Sequence, residues 1–219
     1  WWCVASSSDG TKLIVGTSGQ TIYTSADSGI TWSPCDLVGG QWTSVASSAD
    51  GTKLVAVASN SQIYTSVDSG ASWTARDSAR EWQSVASSAD GIILVAVAAG
   101  GQIYTSTNSG VSWTPHESGK AWRSVASSAD GSRLFAGING GQIYTSTDFG
   151  VSWSEIDQSG GYWFSLASSA DGNKLVAANC GGCIYTLDLY PPQSTTLGAE
   201  GYISGSQYDY IELQYIGND

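Results

Sequence analysis

The chain has 219 residues, with 19 Asp plus Glu against 8 Lys plus Arg, a net charge of −11, ten Trp, 27 Gly, one His and no Met. Such acidity argues against a nucleic acid partner and against anionic membrane surfaces. The longest apolar runs, such as Ile92 to Ala99, are too short to cross a bilayer, so no membrane insertion is expected, while 41% apolar residues can bury a core.

Trp1 already sits inside a repeat, and the absence of Met predicts that a leader has been removed or that the chain is a fragment. Trp1, Trp42, Trp82, Trp122 and Trp163 each open a version of Trp-x-Ser-Val-Ala-Ser-Ser-Ala-Asp-Gly, at spacings of 41, 40, 40 and 41 residues. A period of about forty residues is the signature of a repeat architecture.

In the second copy, Trp42 to Ser48 reads as a strand ending at Asp50-Gly51, a pair that favours a two-residue hairpin turn. Lys53 to Ala58 is a second strand, Gln62 to Ser66 a third, and a short fourth one is expected around Ser72-Trp73-Thr74. No segment has helical spacing. Four antiparallel strands every forty residues describe the blade of a β-propeller. The reading is all-β, a single domain over 1–219 with blades at about 1–39, 40–79, 80–119, 120–160 and 161–219. In the last copy Pro191-Pro192 ends the sheet pattern before a fourth strand. The tail, with strand-like 201–204 and 210–216, is expected to supply that outer strand and so close a five-bladed ring.

Between the third and fourth strands stand Ser25-Ala-Asp27-Ser-Gly29-Ile-Thr31-Trp32, Ser66-Val-Asp68-Ser-Gly70-Ala-Ser72-Trp73, Ser106-Thr-Asn108-Ser-Gly110-Val-Ser112-Trp113 and Ser146-Thr-Asp148-Phe-Gly150-Val-Ser152-Trp153. These segments resemble the Asp-box, the bacterial neuraminidase repeat, over residues 1 to about 187. The resemblance implies a peripheral turn in which the Asp accepts backbone hydrogen bonds and the Trp packs beneath it. Asn108 keeps an acceptor oxygen without the charge, which argues against metal binding as the motif's purpose. The boxes and the Asp-Gly turns at Asp9, Asp50, Asp90, Asp130 and Asp171 therefore read as architecture.

Sialidases share the motif, and the resemblance would imply three convergent arginines, a Tyr nucleophile with a Glu partner, and an acid/base Asp. Here Arg76, Arg80, Arg123 and Arg133 are the only arginines, they fall on different strands and blades, and there is no Arg-Ile-Pro segment. A glycosidase carboxylate pair is not apparent either. Asp36, Asp77, Glu117 and Asp157 occupy one repeat position, four residues after each box Trp, and would be spread around the ring. The lone His116 reads as a surface residue, and no catalytic residues, metal site or cofactor are assigned. Cys180 and Cys183 flank what reads as a two-residue hairpin turn, a spacing that permits a disulfide.

The inter-blade loops differ between copies, and loops on a rigid scaffold are where binding usually resides. The candidate ligand-binding residues on that face are Trp42, Trp82, Trp122, Trp163, Gln83, Arg123, Arg80 and Tyr162, beside Trp1, Trp2, Thr43 and Phe164. Either the indoles stack on sugar rings, or each packs between blades. The sequence-based reading is a non-enzymatic, lectin-like or protein-binding module with a glycan or protein partner. The alternatives are a glycoside hydrolase or sialidase-like enzyme, or a structural subunit of a larger extracellular or membrane-associated assembly. The family resemblance also implies an extracytoplasmic location.

Overall fold

The fold comes from a computed structural model that describes residues 1–18, 21–37, 40–117 and 119–189, with backbone alone at 157–159. The expected tail strands at 201–204 and 210–216 lie outside the described residues.

The first repeat unit forms β1 (Cys3–Ser6), β2 (Leu13–Gly16), β3 (Ile22–Ser25) and β4 (Ser33–Pro34). The second forms β5 (Trp42–Ser47), β6 (Leu54–Ser66) and the start of β7 (Thr74–Ser87). The third takes the rest of β7 with β8 (Leu94–Ala98), β9 (Ile103–Ser106) and β10 (Thr114–His116). The fourth has β11 (Trp122–Ser127), β12 (Leu134–Ser146) and the start of β13 (Ser154–Ser168), and the fifth the rest of β13 with β14 (Lys174–Asn179) and β15 (Ile184–Asp188).

All pairings are antiparallel, in sheets of four, six and five strands. The two larger sheets span two units each because β7 and β13 run on through the inter-unit loop. The described residues contain no helix.

Local chemistry explains the turns. Ser48 N donates to Lys53 O at 2.9 Å, so the Asp-Gly turn is a four-residue loop and not the two-residue turn expected. The Ser48 hydroxyl donates to Asp50 Oδ1 at 2.6 Å, and the same oxygen accepts from Thr52 N at 2.9 Å. Ala49 joins the loop to its neighbours, its N donating to Ala89 O at 2.7 Å and its O accepting from Ser8 N at 2.8 Å, and the glycine of each such loop after the first sits under the preceding unit. At Gly131, with φ of 73°, an added Cβ would lie 2.5 Å from Ile93 Cβ. Such a position admits only glycine.

In the turn from Ser66 to Trp73, Asp68 Oδ1 accepts from the Ser66 hydroxyl at 2.7 Å and from Ser72 N at 2.9 Å, and Trp73 Nε1 donates to Gly70 O at 3.1 Å. The indole thus closes the turn, which is why β7 begins at Thr74 and not at Ser72. Asn108 Oδ1 makes the same two contacts, from Ser106 at 2.9 Å and from Ser112 N at 2.9 Å. At its other side-chain atom the direction reverses: Nδ2 donates to the Ser112 hydroxyl, whereas Asp68 Oδ2 accepts from Ser72.

The core lies between units. Val55, Val57 and Ile63 of the second unit pack against Trp82, Val85, Leu94 and Tyr104 of the third, and equivalent clusters join first to second, third to fourth and fourth to fifth. This makes β8 buried along its whole length, as its unbroken apolar sequence requires. The inner strands are also tied by hydroxyls that the sequence did not distinguish from its many other serines. Ser44 Oγ accepts from Val85 N at 3.2 Å, Ser84 Oγ from Val125 N at 3.3 Å, and Ser124 Oγ donates to Trp163 O at 2.9 Å.

The expected closure of a five-unit ring is not seen among the described residues. Packing runs from β1 to β5, β7, β11 and β13, without a comparable contact from β13 back to β1. Trp1 and Ile184, at the two ends, are 81% and 76% exposed.

Two predictions follow from the turns and the core. Hydrogen bonds, chiefly from the Ser72 hydroxyl at Asp68 and from the Ser48 hydroxyl at Asp50, hold these carboxyls down at about 2, as similar bonds hold Asp9, Asp27 and Asp148. Their contribution is complete above the unfolded value of roughly 4 and is lost as pH falls toward about 2. Thermal melts should therefore be flat near neutrality and drop between those two pH values, and Asp68→Asn should make the drop shallower. Trp122→Ala, at a side chain 1% exposed, should cost about 3–5 kcal/mol in denaturant unfolding.

Candidate functional site

The residue that follows each opening Trp is the position at which this stretch of the repeat varies most: Trp2, Thr43, Gln83, Arg123 and Phe164. Each stands on or beside an inner strand, one per unit. The structure brings all five together around a cavity of about 580 Å³. Its wall also includes Ser18, Gln41, Trp42, Ser44, Ser84 and Ser165, and among the described residues no carboxylate lines it.

Arg123 is the single cation of the lining among the described residues. Its guanidinium donates to Gln83 Oε1 and lies over the Phe164 ring, 4.5 Å from the centroid. Both partners are neutral, and among the described residues no acid pairs with Arg123, whereas Arg80 and Lys120 stand beside Asp77 and Glu117. Phe164 is half exposed and Trp2 is 66% exposed, which leaves two aromatic faces open beside the guanidinium. Thr43 is held by donating its hydroxyl to Trp82 O of the next unit at 2.9 Å.

Four of the five opening indoles do not share this exposure; Trp1 is 81% exposed. Trp42, Trp82, Trp122 and Trp163 are at most 1% exposed, and each meets a Tyr of its own unit edge-on, at centroid distances of 5.0–5.6 Å. Of the two readings the sequence left open, packing between units is the one observed for these four, and stacking of a sugar on their rings is corrected, because they are buried; Trp42 alone of the four borders the cavity. Trp163 Nε1 donates to Gly141 O at 2.9 Å. Nε1 of Trp42, Trp82 and Trp122 finds no acceptor among the described residues.

Arg80 and Tyr162 are not brought to the cavity. Arg80 lies 4.6 Å over the Tyr104 ring and 5.9 Å from Trp82, with Asp77 Oδ2 3.6 Å from its Nε, longer than a hydrogen bond. Lys120 repeats the arrangement one unit on, 4.0 Å over Tyr144, and donates to the Tyr144 hydroxyl at 2.8 Å and to Glu117 at 3.4 Å. Burial pulls the Lys120 ammonium down, but these hydrogen bonds outweigh it and its pKa is raised. Asp77 and Glu117 both take left-handed φ, 48° and 55°. In these two units the recurring carboxylate is thus a turn residue that stands beside a cation three positions later. Tyr162 is exposed above the Gly140 turn, and its N–H donates to Asn179 Oδ1 at 3.1 Å.

The Cys180–Cys183 expectation is also corrected. Asn179 N donates to Cys183 O at 3.0 Å, so Cys183 faces Asn179 across a three-residue loop, and both thiols are free and exposed. Burial pushes the Cys3 thiol up to about 11, which keeps it un-ionised near neutrality. His116 is half-buried and not simply a surface residue: its Nε2 is 2.8 Å from Thr105 Oγ1, and burial lowers its pKa. No group of three His, Cys, Asp or Glu able to hold a metal is present among the described residues.

No protein-family model and no curated protein matches the chain. Solved structures do. An ancestral GH74 enzyme matches with a TM-score of 0.67 and 18% identity over 84% of this chain and 29% of that one. Niastella koreensis GH74 matches with a TM-score of 0.63 and 24% identity over 85% of this chain and 29% of that one. YCF48 bound to D1 peptide matches with a TM-score of 0.63 and 19% identity over 86% of this chain and 64% of that one. The fold is that of a β-propeller. This chain spans less than a third of the GH74 chains and under two thirds of YCF48. The repeat units are accordingly blades, and the cavity sits where their inner strands converge.

Arg80→Ala and Lys120→Ala should each lower stability by about 1 kcal/mol in denaturant unfolding, the size of a partly exposed cation–π contact. Neither should alter binding in the cavity, which neither lines.

Proposed function

We propose that the protein is a non-enzymatic binding module that holds a segment of a protein partner in the central cavity, with an anionic group of that segment on Arg123. The observation that carries this reading is the lining by the described residues: amides and hydroxyls for hydrogen bonding, the exposed aromatic rings of Trp2 and Phe164, one guanidinium with neutral partners, and no carboxylate among those residues. A guanidinium with neutral neighbours is suited to a carboxylate or phosphate. That YCF48 has been solved with a D1 peptide bound supports the idea that a propeller of this kind can hold a peptide. We also propose five blades in one unit, the fifth receiving its outer strand from the tail; the outer edge of β15 is unpaired among the described residues.

Hydrolysis is the competing reading, since the GH74 neighbours are enzymes. It requires a pair of carboxylates at a substrate-sized site, and the described residues that line this cavity offer none.

A random peptide library and a glycan array, each probed with the native chain and with Arg123→Ala, test the proposal. Carboxylate-bearing peptides should bind the native chain and lose at least about tenfold in affinity with Arg123→Ala, the scale of one charge-assisted hydrogen bond. Turnover of a glycoside panel that a single carboxylate substitution abolishes would refute it.

A further inference from the structure

Three consecutive blades fix the Arg123 guanidinium in place before any ligand arrives. Nη1 donates to Gln83 Oε1 of the third blade, and the group lies over the Phe164 ring of the fifth, 4.5 Å from its centroid. The Gln83 amide is itself oriented, because its Nε2 donates to Glu81 O at 3.5 Å, which leaves the carbonyl oxygen for Arg123. With Nη1 taken and one ring face covered, the edge formed by Nε and Nη2 remains. Neither atom has a hydrogen-bond partner among the described residues.

Two adjacent N–H donors on one edge match the two oxygens of a carboxylate, which is planar and singly charged. A phosphoryl group can accept from the same edge, but near neutral pH it carries a charge of about −1.5 to −2. Against it the described lining sets one cation, in a chain of net charge −11. One guanidinium offsets one negative charge, so a phosphoryl group would leave an excess inside an acidic molecule. The chain also shows why the neighbour of Arg123 is an amide. Arg80 and Lys120 stand beside the carboxylates of Asp77 and Glu117, whereas Gln83 has the shape of Glu without its charge. It holds the cation without cancelling it. We propose that the cavity selects a carboxylate over a phosphoryl group, with the Nε–Nη2 edge of Arg123 as the receptor and Gln83 as the positioning residue that keeps this edge aimed and charged. The proposal rests on the reading that an anionic group of a partner binds at Arg123.

The test follows the Arg123 Nε–H signal by NMR while acetate or methyl phosphate is added at constant ionic strength near neutral pH. Acetate should move the signal and bind at least about fivefold more tightly than methyl phosphate, the effect of one uncompensated charge at a partly exposed site. Gln83→Glu keeps the shape and cancels the charge, and should weaken both anions at least about tenfold. Gln83→Leu keeps the charge and releases Nη1. In that variant acetate should still move the signal, with its advantage over methyl phosphate cut to under about twofold because the guanidinium edge is no longer aimed. Gln83→Leu that weakens both anions equally and lowers the melting temperature assigns Gln83 a merely structural role and overturns the proposal. So does methyl phosphate binding as tightly as acetate, Gln83→Glu binding acetate like the native chain, or a signal that neither anion moves. Selection of acetate without binding of any carboxylate-bearing peptide would sink the peptide reading and leave the carboxylate site standing. Peptides with one Glu and an amidated end, set against peptides with Gln there and a free end, show whether a side chain or a chain terminus supplies the carboxylate, and binding of either supports the site.

Discussion

A four-stranded blade of forty residues has two apolar faces and no interior of its own, so each blade depends on a neighbour to take its Trp out of water. In this chain the constraint is met four times, by aliphatic side chains of one blade closing over the indole and phenol of the next. The smaller features serve the same contact. Glycines in the Asp-Gly turns allow consecutive blades to approach, and hydroxyls of the inner strands bond to the backbone of the blade that follows. Stability in such an array comes largely from interfaces between neighbours, and so it is weakest at the open seam between the first and fifth blades, where both faces lack one among the described residues.

The cavity is a by-product of the same packing. Inner strands placed side by side by their buried indoles present the next residue inward, one from each blade. A single repeat position therefore becomes a ring of five different side chains without any change in the scaffold. Eight of the 19 acidic residues are turn carboxylates that accept from backbone N–H groups. No carboxylate among the described residues lines the cavity, so Arg123 places a positive charge there in a chain of net negative charge.

Much of the fold was legible because its causes are local. The turn around Asp68 needs only residues 66 to 73, and its bonds are those that the residue types predict. The start of β7 was misjudged by two residues because Trp73 serves the turn before it could serve a strand. The Cys180 hairpin was misjudged because loop length there is set by Asn179 pairing with Cys183, which residue type does not reveal. Arg80 and Arg123 looked equivalent as loop-face cations. One is drawn onto its own blade's Tyr104 by the nearby Asp77, while the other reaches across to Gln83 of the preceding blade.

The sequence by itself determined the repeat, its period, the antiparallel strands and the turn chemistry, since each depends on contacts within about ten residues. It also named Gln83 and Arg123 as candidates, as neighbours of the opening Trp residues on the loop face. Only the tertiary structure decided which side of each inner strand faces a neighbour. That buried the four indoles, exposed Trp2 and Phe164, gathered one position from five blades into a cavity and left the seam open. Those outcomes depend on residues about forty positions apart, and the curvature that brings them together is a property of blade packing and not of any blade's own sequence.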